Sequence, residues 1–281
     1  MNKKTAPHVT IDRQENGTIK LTISLPWEEV KRVKAEVIDE AVKNAEFPGF
    51  RKGKAPKDMV EKSLDQAKVT DEVLKRLLPQ AYIEAVQANG IRPIMNPKIQ
   101  IEKITEDEDW QFTALTTETP EVNLGNYKDA VQKITAKSKI IVPGQEQKQP
   151  NFDEIMKAVL ESVTVTIPPL LAEQEVDRLL AHTLEEIKKL GLTLDQYLAS
   201  TGKTPEILRK EYEEKAMNDI KLELTLQKIA ATENITVDEK EIDEAIQKAK
   251  DPQEKQHLEG NRYLLASILR QQKTLDFLRN L

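Results

Sequence analysis

The chain has no cysteine among its 281 residues, which excludes disulfides, thiolate nucleophiles and cysteine-ligated metals. Histidine occurs three times, at His8, His182 and His257, never at a ligand spacing such as H-x-x-x-H. These read as surface or edge histidines, and no metal site is expected. Aromatic residues are 4 % of the chain and charged residues 32 %, a balance that suits long, surface-rich helices better than a thick core. No segment approaches the roughly 20 apolar residues of a membrane span. The first thirty residues hold no continuous apolar run, so a soluble, cytoplasmic protein without a membrane partner is expected. Catalytic constellations are missing as well. Glu185-Glu186 and Glu213-Glu214 sit on helix faces beside lysines, and helix neighbours point in different directions, so neither forms an acid/base pair. No Ser or Thr stands with a base arranged near it. The sequence therefore offers no catalytic residue and no cofactor site.

What is present is one unusual stretch, FPGFRKGKAPK at 47–57. It carries four of the 42 basic residues (Arg51, Lys52, Lys54 and Lys57) and no acid; removing those four from the formal charge of −6 leaves −10 for the rest. A basic loop on an acidic body is steered toward phosphate-rich or acidic surfaces while the body is repelled by them. Pro48 fixes its own φ, Gly49 and Gly53 accept positive φ, and Pro56 suits the first turn of a following helix. Phe50 is thereby pushed outward among cations, the usual make-up of a binding hot spot. The plainer alternative is a solvated basic turn whose Phe tucks back into its own domain. The spacing Gly49-x-x-x-Gly53-Lys54-Ala55 is not a phosphate-cradling loop, which needs four residues between the glycines and Ser or Thr after the Lys.

The length allows two domains, each with a core. Val9 to Ile11 and Ile19 to Leu25 alternate around Asn16-Gly17 and predict a β-hairpin. From Trp27 to about Ala45 the positions Val30, Val33, Val37, Ile38, Ala41 and Val42 recur at helical spacing. A short helix follows from about Pro56, and a longer one is expected from Thr70 as N-cap, kinked or split at Pro79 and ended by Asn89-Gly90. Lys98 to Ile104 and Trp110 to Thr116 predict a second hairpin. This order gives an α+β domain over 1–118, with helices on one face of an antiparallel sheet. Residues 119–150 hold few apolar side chains and read as a linker, with a polar segment between Pro143 and Pro150.

Residues 151–281 read as an all-α domain of helix pairs, so the chain is mainly α overall. Leu170 to Leu190 is amphipathic, with Leu171, Val176, Leu179, Leu180, Leu184 and Ile187 on one side. Thr193 with Gln196 and Thr236 with Glu239 fit capping boxes, while Thr204-Pro205 and Asp251-Pro252 open helices. The last helix is expected to bury Tyr263, Leu264, Ile268, Leu269, Leu275 and Leu278.

PGFRKGKAP at 48–56 resembles the signature loop of the trigger factor family, bacterial ribosome-associated chaperones. LGLTLDQYLASTGKTPEILRKEYEEKA at 190–216 and KLELTLQKIAATENITVDEKEIDEAI at 221–246 resemble that family's carboxy-terminal domain. The resemblance implies an ATP-independent chaperone that docks on the large ribosomal subunit near the exit tunnel, touching ribosomal protein and rRNA, and holds unfolded nascent polypeptides. It further implies that Phe50, Arg51 and Lys52 touch the ribosome, that Gly49 is the turn before them, and that Lys54 adds charge. It implies helical arms forming a substrate cradle and leaves open a weak homodimer of the free protein. Family members usually insert an FK506-binding-type prolyl isomerase domain where this chain has about thirty residues, without an aromatic between Tyr127 and Phe152, so isomerase activity is not expected. A prolyl isomerase with a reduced domain and an RNA-binding module are the competing readings. The overall acidity weighs against the second.

Overall fold

The computed structural model describes residues 8–46, 48, 50–52, 54, 56–138, 152–249 and 251–281. The chain forms two compact units, Met1–Thr119 and Pro120–Leu281. Among the described residues there are eleven helices and six strands, so the fold is mainly α with a four-stranded antiparallel sheet and a separate two-stranded one.

In the first unit, β1 (His8–Arg13), β2 (Thr18–Leu25), β3 (Lys98–Lys103) and β4 (Trp110–Thr117) pair antiparallel in the order β1-β2-β4-β3. The register sets Leu25 opposite Trp110, Ile23 opposite Phe112 and Leu21 opposite Ala114, so every second residue of both central strands faces the same way. Against that face pack α1 (Trp27–Asn44), through Val30, Val33, Val37 and Ile38, and α3 (Gln66–Ala88), through Val69, Val73, Leu74, Leu77, Ala81 and Ala85. Each fully buried aliphatic side chain in this layer contributes about 1.5–3 kcal/mol. The short α2 (Lys57–Ser63) lies between them in sequence and buries Val60.

One helix start departs from the sequence reading, while α1 begins at Trp27 as read. Pro26 precedes α1 without a side-chain cap, and Asp109 from the β3–β4 turn accepts the Trp27 backbone N–H at 2.8 Å instead. The longer helix begins at Gln66, not after Thr70: Asp65 is its N-cap and accepts from the Ala67 N–H at 3.0 Å. Thr70 lies one turn inside. Pro79 does not split α3; one backbone hydrogen bond is lost there, while Leu77 and Ala81 on either side remain buried in the core.

The second unit runs β5 (Val122–Asn123), α4 (Tyr127–Ser138), α5 (Phe152–Ser162), β6 (Thr164–Val165), α6 (Pro169–Lys189), α7 (Leu194–Thr201), α8 (Pro205–Thr232), α9 (Glu239–Lys248), α10 (Pro252–Gly260) and α11 (Arg262–Asn280). Its main core gathers Val122, Tyr127 and Val131 with Ile155, Val159, Val163, Leu224, Ile229 and Leu278. Two satellite clusters extend it: Val176 and Leu179 of α6 on Ala216 of α8, and Ile242 and Ile246 of α9 on Leu265 of α11.

Four sequence expectations change in this unit. Residues 120–138, read as linker, carry β5 and α4 instead, and Tyr127 and Val131 are core residues. The apolar side chains there are few, but Tyr127, Val131 and Ile134 stand at helical spacing. The polar segment at 143–150 lies outside the described residues. The second capping box is Asp238 with Glu241, two residues beyond the pair Thr236 and Glu239. On α11, Tyr263 is 91 % exposed, and Leu264 and Ile268 are exposed too; the buried face is Leu265, Thr274 and Leu278, with Leu269 and Leu275 partly buried. Leu184 of α6 is also exposed. The box of Thr193 with Gln196 forms as read, and Thr204 and Asp251 cap α8 and α10.

Candidate functional site

The basic stretch joins α1 to α2. The helix before it ends at Asn44; the following Ala45, with ψ of 133°, turns the chain into extended backbone, and Pro56, with ψ of 135°, brings it back into α2. Within the stretch the Lys54 N–H donates to the Arg51 carbonyl at 2.9 Å. Gly49, expected to be the turn before the aromatic, lies outside the described residues.

Phe50 is 43 % exposed and is not part of the unit's core. Arg51, Lys52 and Lys54 are exposed around it. Arg51 and Lys54 have no ion-pair partner among the described residues, and Lys52 approaches Glu46 only to 3.8 Å, with both side chains largely in water. Such a pair is worth little in solvent and is readily exchanged for another. Lys57 differs from the other three: its ammonium donates to Asp39 of α1 at 2.7 Å. That bond holds the Asp39 carboxyl below the ordinary carboxylate range and pushes the Lys57 ammonium up. The structure thus brings together one exposed ring and three available cations, and it sets the fourth cation apart as a contact between helices.

An exposed ring among available cations can enter an apolar pocket while the cations meet phosphates or carboxylates around it. The stretch has no group suited to bond-making chemistry. Among the described residues no cluster of three His, Cys, Asp or Glu can hold a metal ion, and no helix is long and apolar enough to cross a membrane.

A second set of exposed side chains lies in the helical unit. Leu190, 73 % exposed, stands with Leu192 and Leu194 in the turn from α6 into α7, and Ile207 and Met217 are exposed on α8. Tyr263, Leu264 and Ile268 form a like group on α11. Sequence reasoning placed several of these in the core. The available signal was the run Tyr263-Leu264-Leu265, since adjacent helix positions cannot all face one side.

Comparison with known proteins covers both units. Residues 8–148 match the family model described as bacterial trigger factor protein, and residues 143–280 match the one described as the bacterial trigger factor C-terminus. Among curated relatives, the trigger factor of Bacillus cytotoxicus is 39 % identical over 124 residues, which cover 44 % of this chain and 29 % of that protein. The trigger factor of Macrococcus caseolyticus is 38 % identical over 117 residues, 42 % of this chain and 27 % of that protein. In both comparisons the matched part spans less than a third of the relative's length. The trigger factor of Carboxydothermus hydrogenoformans aligns over 96 % of this chain and 98 % of its own length at 24 % identity. A solved structure from a study of promiscuous substrate recognition by the trigger factor chaperone superposes with a TM-score of 0.65, covering 97 % of this chain and 99 % of that one at 13 % identity. At that identity the likeness speaks for the fold.

Proposed function

The chain belongs to the trigger factor family, and from that premise we propose that it is an ATP-independent chaperone that docks at the ribosomal exit site and holds emerging polypeptides. Docking falls to the Met1–Thr119 unit through Phe50, Arg51 and Lys52, with Gly49 as the turn before them and Lys54 adding charge. Holding falls to the Pro120–Leu281 unit. The observation that carries the reading is the exposed Phe50 set among available cations on the connection between α1 and α2.

The physics of such a protein needs no energy source. The acidic body and basic loop orient the molecule as it approaches a phosphate-rich surface. Burying the Phe50 ring there contributes roughly 1.5–3 kcal/mol, and the cations fix its orientation. Exposed apolar side chains such as Leu190, Ile207 and Tyr263 offer an unfolded chain many weak contacts, so it binds and leaves without a driven step. Docking raises the local concentration of the emerging chain around these surfaces, and weak affinity then suffices. The place of action is the cytoplasm, where ribosomes are.

The reading includes no isomerase activity. The alignment with the Carboxydothermus protein runs over 420 positions, whereas this chain has 281 residues, so more than a hundred positions of that relative have no counterpart here. A protease-coupled assay on an Ala-Pro peptide is expected to show no turnover above background, and clear turnover would refute this part of the reading. The docking part is tested by co-sedimentation with bacterial ribosomes at moderate salt. The wild-type chain is expected in the pellet, and a variant with Phe50→Ala, Arg51→Ala and Lys52→Ala in the supernatant with unchanged helical circular dichroism. Equal sedimentation of the two would reject the loop as the docking site.

A further inference from the structure

Two ion pairs on adjacent residues of α1 reach the two helices that follow the basic loop. Asp39 Oδ1 accepts from Lys57 Nζ at 2.7 Å, across 18 residues of sequence. Glu40 takes a two-pronged bond from Arg76 of α3, with Nη2 to Oε2 at 2.8 Å and Nη1 to Oε1 at 3.1 Å. Arg76 is steadied in turn by Glu72 at 3.2 Å, one helical turn before it. All of these groups are partly or well exposed, and pairs of this kind add little to global stability.

Their placement suggests another role. Lys57 is the first residue of α2, where the positive end of the helix dipole disfavours a cation, so it does not serve the helix it begins. It reaches back to α1 instead. No described residue between Asn44 and Lys57 belongs to the buried core, so among the described residues the loop takes its position from the helices at its two ends. The far end is weakly held, since α2 has seven residues and buries one side chain, Val60.

We propose that Asp39 and Lys57, backed by Glu40 and Arg76, are positioning residues of the docking loop: they hold the start of α2 against α1 and so fix the separation from which Phe50 and the free cations are presented. This rests on the docking role proposed above. Lys57 is then not a contact to the partner, although it belongs to the basic stretch.

The test is a ribosome-binding titration of the intact chain for the wild type, Asp39→Asn, the exchange Asp39→Lys with Lys57→Asp, and the triple variant Phe50→Ala, Arg51→Ala, Lys52→Ala, with thermal unfolding measured on each. Simple electrostatics has Asp39→Asn tighten binding to a phosphate-rich surface, because it frees a cation. A positioning role has it weaken binding by roughly three- to tenfold, with the melting temperature nearly unchanged. The exchange variant, which keeps the net charge and rebuilds the pair, is expected to restore wild-type affinity. If Asp39→Asn binds as well as the wild type or better, or if the exchange fails to restore affinity while the triple variant has lost binding, the positioning role is overturned and the docking role stands. If the triple variant binds like the wild type, the docking role itself fails, and the positioning role with it.

Discussion

At Gly125 a single hydrogen atom is the difference between a closed and a broken junction. Its φ is +52°, and a Cβ placed there would sit 2.4 Å from the Ser162 carbonyl oxygen, a backbone atom with nowhere to go. This approach lets β5 and β6 pair, with Val122 opposite Val165. Gly125→Ala is therefore expected to cost at least about 1–3 kcal/mol, read by urea denaturation. Two residues on, the Tyr127 hydroxyl donates to Glu233 at 2.8 Å, and Lys128 reaches the same carboxylate. Burial first, and then Glu233, pushes the Tyr127 phenol above its ordinary value of 10.0. A raised folded-state value means that this contribution is fully present below that pH and is lost as pH rises above it. Tyr127→Phe should lose about 0.5–1.5 kcal/mol at neutral pH, yet show a shallower fall in melting temperature above pH 10 than the wild type. Glu233, held below the ordinary 4.5 first by Lys128 and then by Tyr127, contributes in the opposite sense: its share is present above that value and fades as pH falls below it. At this scale the basic loop is legible in the sequence because Phe50 and its cations are unlike anything around them. Tyr127 is not legible, because its partner lies 106 residues away.

The helices show which local signals decide and which are overruled. Around α9 the sequence offers two overlapping capping frames, Thr236 to Glu239 and Asp238 to Glu241. The second wins: Asp238 and Glu241 bond reciprocally at 2.9 Å, while Lys273 of α11 donates to the Thr236 carbonyl at 2.7 Å and to Glu241 at 2.8 Å. A residue from another helix settles the choice, and no local rule contains it. Asp238→Ala is expected to cost about 0.5–2 kcal/mol in denaturant unfolding, and Thr236→Ala less than about 0.5 kcal/mol. Equal losses would mean that the frame is misassigned. The start of α3 follows the same pattern, since Asp65 and Thr70 are both plausible caps and Val69 is buried between them, which keeps that turn helical. Strand pairing and the long helices were read more easily. Their alternation and 3.6-residue periods extend over many residues and survive one misplaced cap.

For the whole chain, the proposed division of labour rests on where apolar and charged groups are left uncovered. The α+β unit leaves Phe50 exposed among cations, and the helical unit leaves aliphatic and aromatic side chains exposed on α6, α8 and α11. Sequence periodicity finds apolar positions but does not say which face a core and which face water. Leu265 is buried while Leu264 is exposed, and the neighbouring helix α9 makes that choice by packing Ile242 and Ile246 on one side only. The central claim, a loop that docks on the ribosome while the other unit holds an emerging chain, is tested most directly by a photoreactive phenylalanine analogue placed at position 50 of the intact protein. It is added to bacterial ribosomes carrying a stalled nascent chain and irradiated. The account predicts crosslinks from position 50 to large-subunit protein or RNA at the exit site. Irradiation that yields no ribosomal crosslink, from a protein that keeps its helical circular dichroism and still pellets with the ribosomes, would contradict it.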